Sequence, residues 1–273
     1  MKNKLIICFA AILTASCVIF SGCGKTTTEP PRTGDNPTKI PTEPTQAHFV
    51  ITETPAKNVV HPPITFAEGE NSLEIENIQI TAYERINSEA AKNMNKTLDK
   101  AKTRIEDSYI DDCFRLREAL DSGEDLAANF PYKSVVDYSY SRNDGKAITI
   151  IEKIDSYSAG NLVHSISYAY NFEPLSGELV LQPFCDMESK EDYDRADNQM
   201  FVKLNEKYPD AVSYETLNYA SLVDASMGFW QFTESGVKVT FPAGIIAPSE
   251  NGELEIEYAK DELPEFAQTT YFN

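Results

Sequence analysis

The chain has 273 residues, with 43 acidic against 24 basic side chains and a formal charge of −19. That length holds one or two small domains, and a hydrophobic content of 41% is enough to bury a core, which excludes global disorder. The acid excess excludes a nucleic-acid surface, because phosphates would meet repulsion instead of Lys and Arg, and it is compatible with a cationic partner.

Residues 1–22 read as a secretion leader: Lys2 and Lys4 precede an apolar run from Leu5 to Phe20, too short for a membrane span. Phe20-Ser21-Gly22-Cys23 then places small residues before a cysteine, as a bacterial lipobox does. Cleavage between Gly22 and Cys23 with diacylglycerol on the Cys23 thiol gives two acyl chains, enough for stable anchoring. The expected location is therefore the extracytoplasmic face of the cell membrane. The alternatives are ordinary secretion and an uncleaved anchor. Loss of Lys2 and Lys4 with the leader takes the charge from −19 to −21.

Residues 23–64 read as a disordered tether. Between Gly24 and Pro63 lie eight of the chain's 15 prolines and nine threonines, a composition that forms no core. Such a segment spans roughly 35 Å as a coil and up to about 120 Å as polyproline II. His48-Phe49-Val50-Ile51 is the exception, with strand character of its own.

From about Ile64 the chain reads as one compact α+β unit with two subregions, 65–165 and 166–273. A mostly antiparallel sheet packs with two or three helices. Leu73-Glu74-Ile75-Glu76 alternates, and Ile78 and Ile80 continue after a phase slip at Asn77, which predicts a strand with a bulge. Ile86, Ala90, Met94, Leu98, Ala101 and Ile105 predict a helix opening at Asn87 or Ser88. Helical pattern resumes through Phe114, Leu116 and Leu120 and stops at Ser122-Gly123. Val135–Tyr140 and Ala147–Ile154 flank the hairpin turn Asn143-Asp144-Gly145. Val163–Phe172 is a strand, and Ser176-Gly177 turns into another at Glu178–Leu181. Ser189-Lys190-Glu191-Asp192 opens a helix with Tyr193, Ala196, Phe201 and Leu204 inward. Phe229–Thr233, Val237–Phe241 and Leu254–Tyr258 are the closing strands.

No catalytic signature emerges, and neither a metal nor a cofactor is called for. Cys113 and Cys185 either pair, closing a loop of about 70 residues worth about 4 kcal/mol, or stay as separate buried thiols. With His48, His61 and His164 they show no zinc-ligand spacing. Ser235-Gly236-Val237-Lys238 matches S-x-x-K, but a turn and strand there point the two side chains apart. Asp186, Glu188, Glu191, Asp192, Asp194 and Asp197 are dense in acid, yet lack the glycine of a calcium loop and read as a helix start. His164 reads as structural. Trp230 reads as core, with a sugar platform as the alternative.

The last third resembles the extracellular domain of the RsiV-type anti-sigma factors, which is also found in lipoproteins and before peptidoglycan deacetylase domains. The residues that carry the likeness are Trp230, Thr233, Gly236 and Phe241, then Ile246-Ala247-Pro248 and Gly252. Glu257 stands where the family has proline. Upstream, Gly160-Asn161-Leu162-Val163-His164 and Tyr170-Asn171-Phe172 resemble the family's Gly-Gly-Ala-His element and strand, without its adjacent Gly-Ala. The resemblance implies a non-enzymatic binding domain whose partner is lysozyme, a cationic protein. The family's transmembrane helix and sigma-binding part are not matched. A cell-wall component such as peptidoglycan is the other ligand weighed. A glycan hydrolase using acidic side chains and a structural envelope lipoprotein are the alternative functions.

Overall fold

The computed structural model describes residues 49–59, 71–82, 88–123, 131–181, 189–209, 211–212, 221–226, 228–262 and 271–272. All fall in one compact unit, Gln46–Asn273. Its first sheet has five strands in the order β1 (Phe49–Val59), β2 (Ser72–Ala82), β3 (Tyr132–Asn143), β4 (Ile148–Ser158) and β5 (Asn161–Phe172). Neighbours pair antiparallel, except that β2 and β3 run parallel over Ser72–Ile75 and Lys133–Val136. A parallel pair needs a long crossover, and the helix α1 (Ser88–Asp121) supplies it. The second sheet is an antiparallel meander of β6 (Trp230–Phe232), β7 (Gly236–Phe241) and β8 (Leu254–Ala259), accompanied by α2 (Lys190–Lys207) and the short α3 (Leu222–Ala225). This is the α+β architecture expected.

β1 corrects the tether. It lies within 23–64, yet pairs with β2 from Phe49↔Ala82 to Val59↔Leu73, and Phe49 is buried in the first core. Apolar Phe49 and Ile51 at alternate positions satisfy a half-buried edge strand, and the surrounding polar composition fits its outer location. The register shift between Thr54 and Lys57 falls opposite Asn77 and Ile75, where the phase of β2 slips. Buried positions on β2 accordingly change from Leu73 and Ile75 to Ile80.

α1 is one 34-residue helix, not two pieces. Ala90, Met94, Leu98, Ala101, Ile105, Tyr109, Cys113 and Leu116 form a stripe at three- and four-residue spacing, buried with Val136, Ile148, Ile150 and Phe172 of the sheet. Asn95 ties the helix to β2. Its Oδ1 accepts from Ile80 N at 2.9 Å, and its Nδ2 donates to Ile80 O at 2.7 Å. The amide thus satisfies backbone groups of β2 beyond its parallel pairing with β3. Gly177 closes the first turn of α1 from outside: at φ +71°, a Cβ there would stand 2.2 Å from Ala90 O.

Two other expectations change. Glu178–Leu181 makes only a single bridge, Phe172↔Leu179, and Leu179 and Leu181 stay exposed. On α2 the buried stripe is Ala196, Met200 and Leu204, which leaves Phe201 partly buried and Tyr193 exposed at the margin. The capping box holds: Ser189 Oγ accepts from Asp192 N, while Asp192 accepts from Ser189 N.

A buried amide ties the two sheets together. Asn171 Oδ1 accepts from Thr149 Oγ1 at 2.8 Å and from Phe232 N at 3.1 Å, and its Nδ2 donates to Trp230 O at 2.8 Å. One amide therefore joins β4, β5 and β6.

Candidate functional site

β4 alternates Ile148, Ile150, Glu152 and Ile154 toward α1, so a carboxylate sits in an otherwise apolar row. Glu152 is fully buried. Its Oε1 accepts from Tyr170 OH of β5 at 3.0 Å and pairs with Arg104 Nη2 of α1 at 3.4 Å. Its Oε2 accepts from Tyr138 OH of β3 at 3.0 Å. Arg104 also donates to Tyr170 OH at 3.0 Å and lies over the Tyr168 ring, 5.3 Å from its centroid. Four elements thus converge on one carboxylate. Burial pushes Glu152 above the usual carboxylate range, against the pull of Arg104 and the two hydroxyls. Burial also raises Tyr138 and Tyr170, and the charge of Glu152 adds to it.

Both Glu152 oxygens are taken and no part of the side chain meets solvent, so the cluster serves as a tie between α1 and the sheet. A general acid or base must reach a substrate proton, which this carboxylate does not. Sequence reasoning missed Glu152, Arg104 and Tyr138 as a group, and named Tyr170 only within the Tyr170-Asn171-Phe172 strand. The available signal was Glu152 itself, one acid in phase with three isoleucines.

A second polar group lies along the same helix. Asp112 is buried beside Tyr132, and burial raises its carboxyl to about 6, with Arg115 and the Tyr132 hydroxyl pulling the other way. Tyr109 stacks on Tyr132 with centroids 5.8 Å apart. Burial pushes the neighbouring Cys113 thiol up to about 11. Cys113 carries a free thiol here, and its candidate partner Cys185 lies outside the described residues. His164 is half-buried opposite Ser156, and burial lowers its pKa. Gly22, Cys23, His48, His61, Asp186 and Glu188 also lie outside the described residues.

The residues of the family motif gather in the second sheet, in packing and turn positions. Trp230 and Phe241 are fully buried, Trp230 edge-on to Phe232 at 5.0 Å. Thr233 Oγ1 accepts from Gly236 N at 3.0 Å and closes the β6–β7 turn. Gly236 admits no side chain, since a Cβ would stand 1.8 Å from Tyr258 O of β8. Ile246 is buried, with Ala247 packed beside it. Pro248 leads a 3-10 turn, Ser249–Asn251, which Gly252 ends at φ +70°. These residues build the meander.

The S-x-x-K match resolves as the turn and strand predicted. Ser235 is exposed beside Thr233, and Lys238 pairs with Glu255 of β8. Three acids of α2 are committed locally: Asp192 to the cap, Asp194 to Lys190, and Asp197 to the backbone N–H groups of Leu222 and Val223 at the start of α3, while Glu191 is exposed in the first turn. Among the described residues no group of three His, Cys, Asp or Glu is placed to hold a metal ion.

No family model matches the sequence, and no curated protein matches it. Solved structures do match the fold. A DUF3298 family protein from Bacteroides fragilis NCTC 9343 superposes with a TM-score of 0.55 at 10% identity, over 82% of this chain and 94% of that one. Another, from Pseudomonas aeruginosa PAO1, gives 0.50 at 13% identity, over 83% and 95%. The fold is that of the DUF3298 proteins.

Proposed function

We propose that this protein is a lipid-anchored, extracytoplasmic binding protein, non-enzymatic, that captures a cationic protein of the lysozyme type. The observation that carries the reading is the uncompensated acid. With 43 acids against 24 bases, pairing every base still leaves a large acid surplus. Several bases on the described surface are already engaged: Lys133 with Glu74, Lys153 with Asp155, Lys203 with Glu262 and Lys238 with Glu255. The second half of α1 adds a surface of suitable chemistry. Asp107, Asp111 and Glu118 flank Phe114, which is 55% exposed, and the last turn carries no base to meet the helix dipole. Arg115 and Arg117 share the stretch, Arg117 paired with Asp121, and the acid-bordered apolar spot offers a basic surface both a charge to steer it and an area to pack on.

The DUF3298 fold supports the RsiV-type resemblance, because RsiV-type domains are related to DUF3298. The leader and Cys23 support the anchor, and the segment between Cys23 and β1 would hold the domain off the membrane.

The chain from Gly24 onward keeps the whole compact unit. Titrating it with hen lysozyme by calorimetry at 50 and 300 mM salt tests the reading. Binding at 50 mM that weakens at least tenfold at 300 mM, and weakens similarly in Asp111→Lys/Glu118→Lys, is the expected result. No binding at low salt sinks it. Radiolabelled palmitate should label the full chain and not Cys23→Ser.

A further inference from the structure

Arg142, near the end of β3, is a buried arginine whose hydrogen bonds divide between the sheet and a remote piece of chain. Its Nε donates to Asp144 Oδ2 at 2.8 Å and its Nη1 to Thr233 O at 3.3 Å, both close by in the β3–β4 and β6–β7 turns. Its Nη2 donates to Tyr271 O at 2.6 Å, 129 residues away. The guanidinium also faces the Phe272 ring at 5.1 Å and the Phe232 ring at 5.9 Å. Phe232 in turn meets Tyr271 at 4.6 Å and Phe272 at 5.6 Å.

The receiving groups all lie outside residues 271–272. β3 and β6 contribute Arg142 and Phe232, held by their own ladders and by Asn171, and the β6–β7 turn contributes Thr233, held by Gly236. The incoming side brings one backbone carbonyl and two aromatic rings, and pairs with no strand. A buried guanidinium needs an acceptor for each inward N–H, and its faces take aromatic rings. The site therefore recognises a carbonyl flanked by adjacent aromatic side chains, which is a feature of extended peptides.

We propose that the Arg142–Phe232 junction is a peptide-binding site, occupied in cis by Tyr271-Phe272 and able to exchange that segment for an aromatic peptide in trans. This inference stands apart from the lysozyme reading and survives its failure.

The test uses the chain from Gly24 to Asn273 with a thrombin site inserted between Leu263 and Pro264. After cleavage, a fluorescein-labelled peptide of residues 268–273 is titrated and followed by anisotropy, while gel filtration and mass spectrometry track the severed segment. Saturable binding that appears only after cleavage is expected. It should weaken at least tenfold when the peptide carries Tyr271→Ala and Phe272→Ala, and at least tenfold in protein bearing Arg142→Met. If Arg142→Met does not fold, the peptide variants carry the test on native protein. Equal binding of the double-alanine peptide overturns the proposal. So does a released segment with no peptide binding, or a severed segment that stays bound and never exchanges.

Discussion

Replacing Asp112 by Asn should flatten the dependence of stability on pH between 4 and 7. Asp112 is only 6% exposed, and burial lifts its carboxyl from 3.8 to about 6. A folded-state pKa above the unfolded one means that the native state holds the proton more tightly between those values. The group's cost is therefore absent below about pH 4, grows as pH rises through the window, and is fully present above about 7. A shift of about two units corresponds to about 3 kcal/mol. Asn keeps an oxygen to accept from Tyr132 and has no charge to desolvate. At pH 7 the variant should thus be more stable by about 2–3 kcal/mol, and at pH 4 nearly equal to wild type. Urea unfolding at pH 4, 5.5 and 7, followed by helical circular dichroism and by Trp230 emission, reads the difference directly. The general easing of acid repulsion at low pH affects both proteins and cancels in the comparison. Parallel curves, with the same gap at all three pH values, would refute the reasoning.

Gly236→Ala forces a Cβ onto Tyr258 O and should cost at least about 3 kcal/mol or prevent folding, read as a red shift of Trp230 emission. Asn171→Ala strands Phe232 N and the Trp230 carbonyl between the sheets, and a loss of about 2–4 kcal/mol is expected by chemical denaturation. Tyr193→Ala, on the exposed margin of α2, should change stability by less than about 0.5 kcal/mol in the same assay. The Cys113 thiol, buried and raised to about 11, should resist a thiol reagent at pH 8 and react on unfolding, a rate difference of at least a hundredfold.

Elements with a strong internal period were legible in the sequence. The α1 stripe, the Asn143-Asp144-Gly145 hairpin, the Ser189 capping box and the three closing strands needed only local spacing and turn chemistry. β1 was not legible as part of the sheet, because its partner decides it. Phe49 and Ile51 are too few to outweigh a Pro/Thr-rich context until β2 presents an open edge. The 178–181 segment failed for the opposite reason: its alternation was real, but only Leu179 found a bridge.

What the sequence determined by itself was the α+β class, the acid surplus, and the chance nature of the S-x-x-K match. These depend on composition and on neighbours a few residues apart. Tertiary structure alone decided which polar residues meet. Glu152, Arg104, Tyr138 and Tyr170 come from four elements, and Arg142 meets Tyr271 across 129 positions. Such pairings follow from sheet order and crossover, which no local period encodes. They also give the Trp230–Gly252 motif its place in the packing of a meander, since Gly236 is required by a carbonyl on β8 that only folding brings beside it.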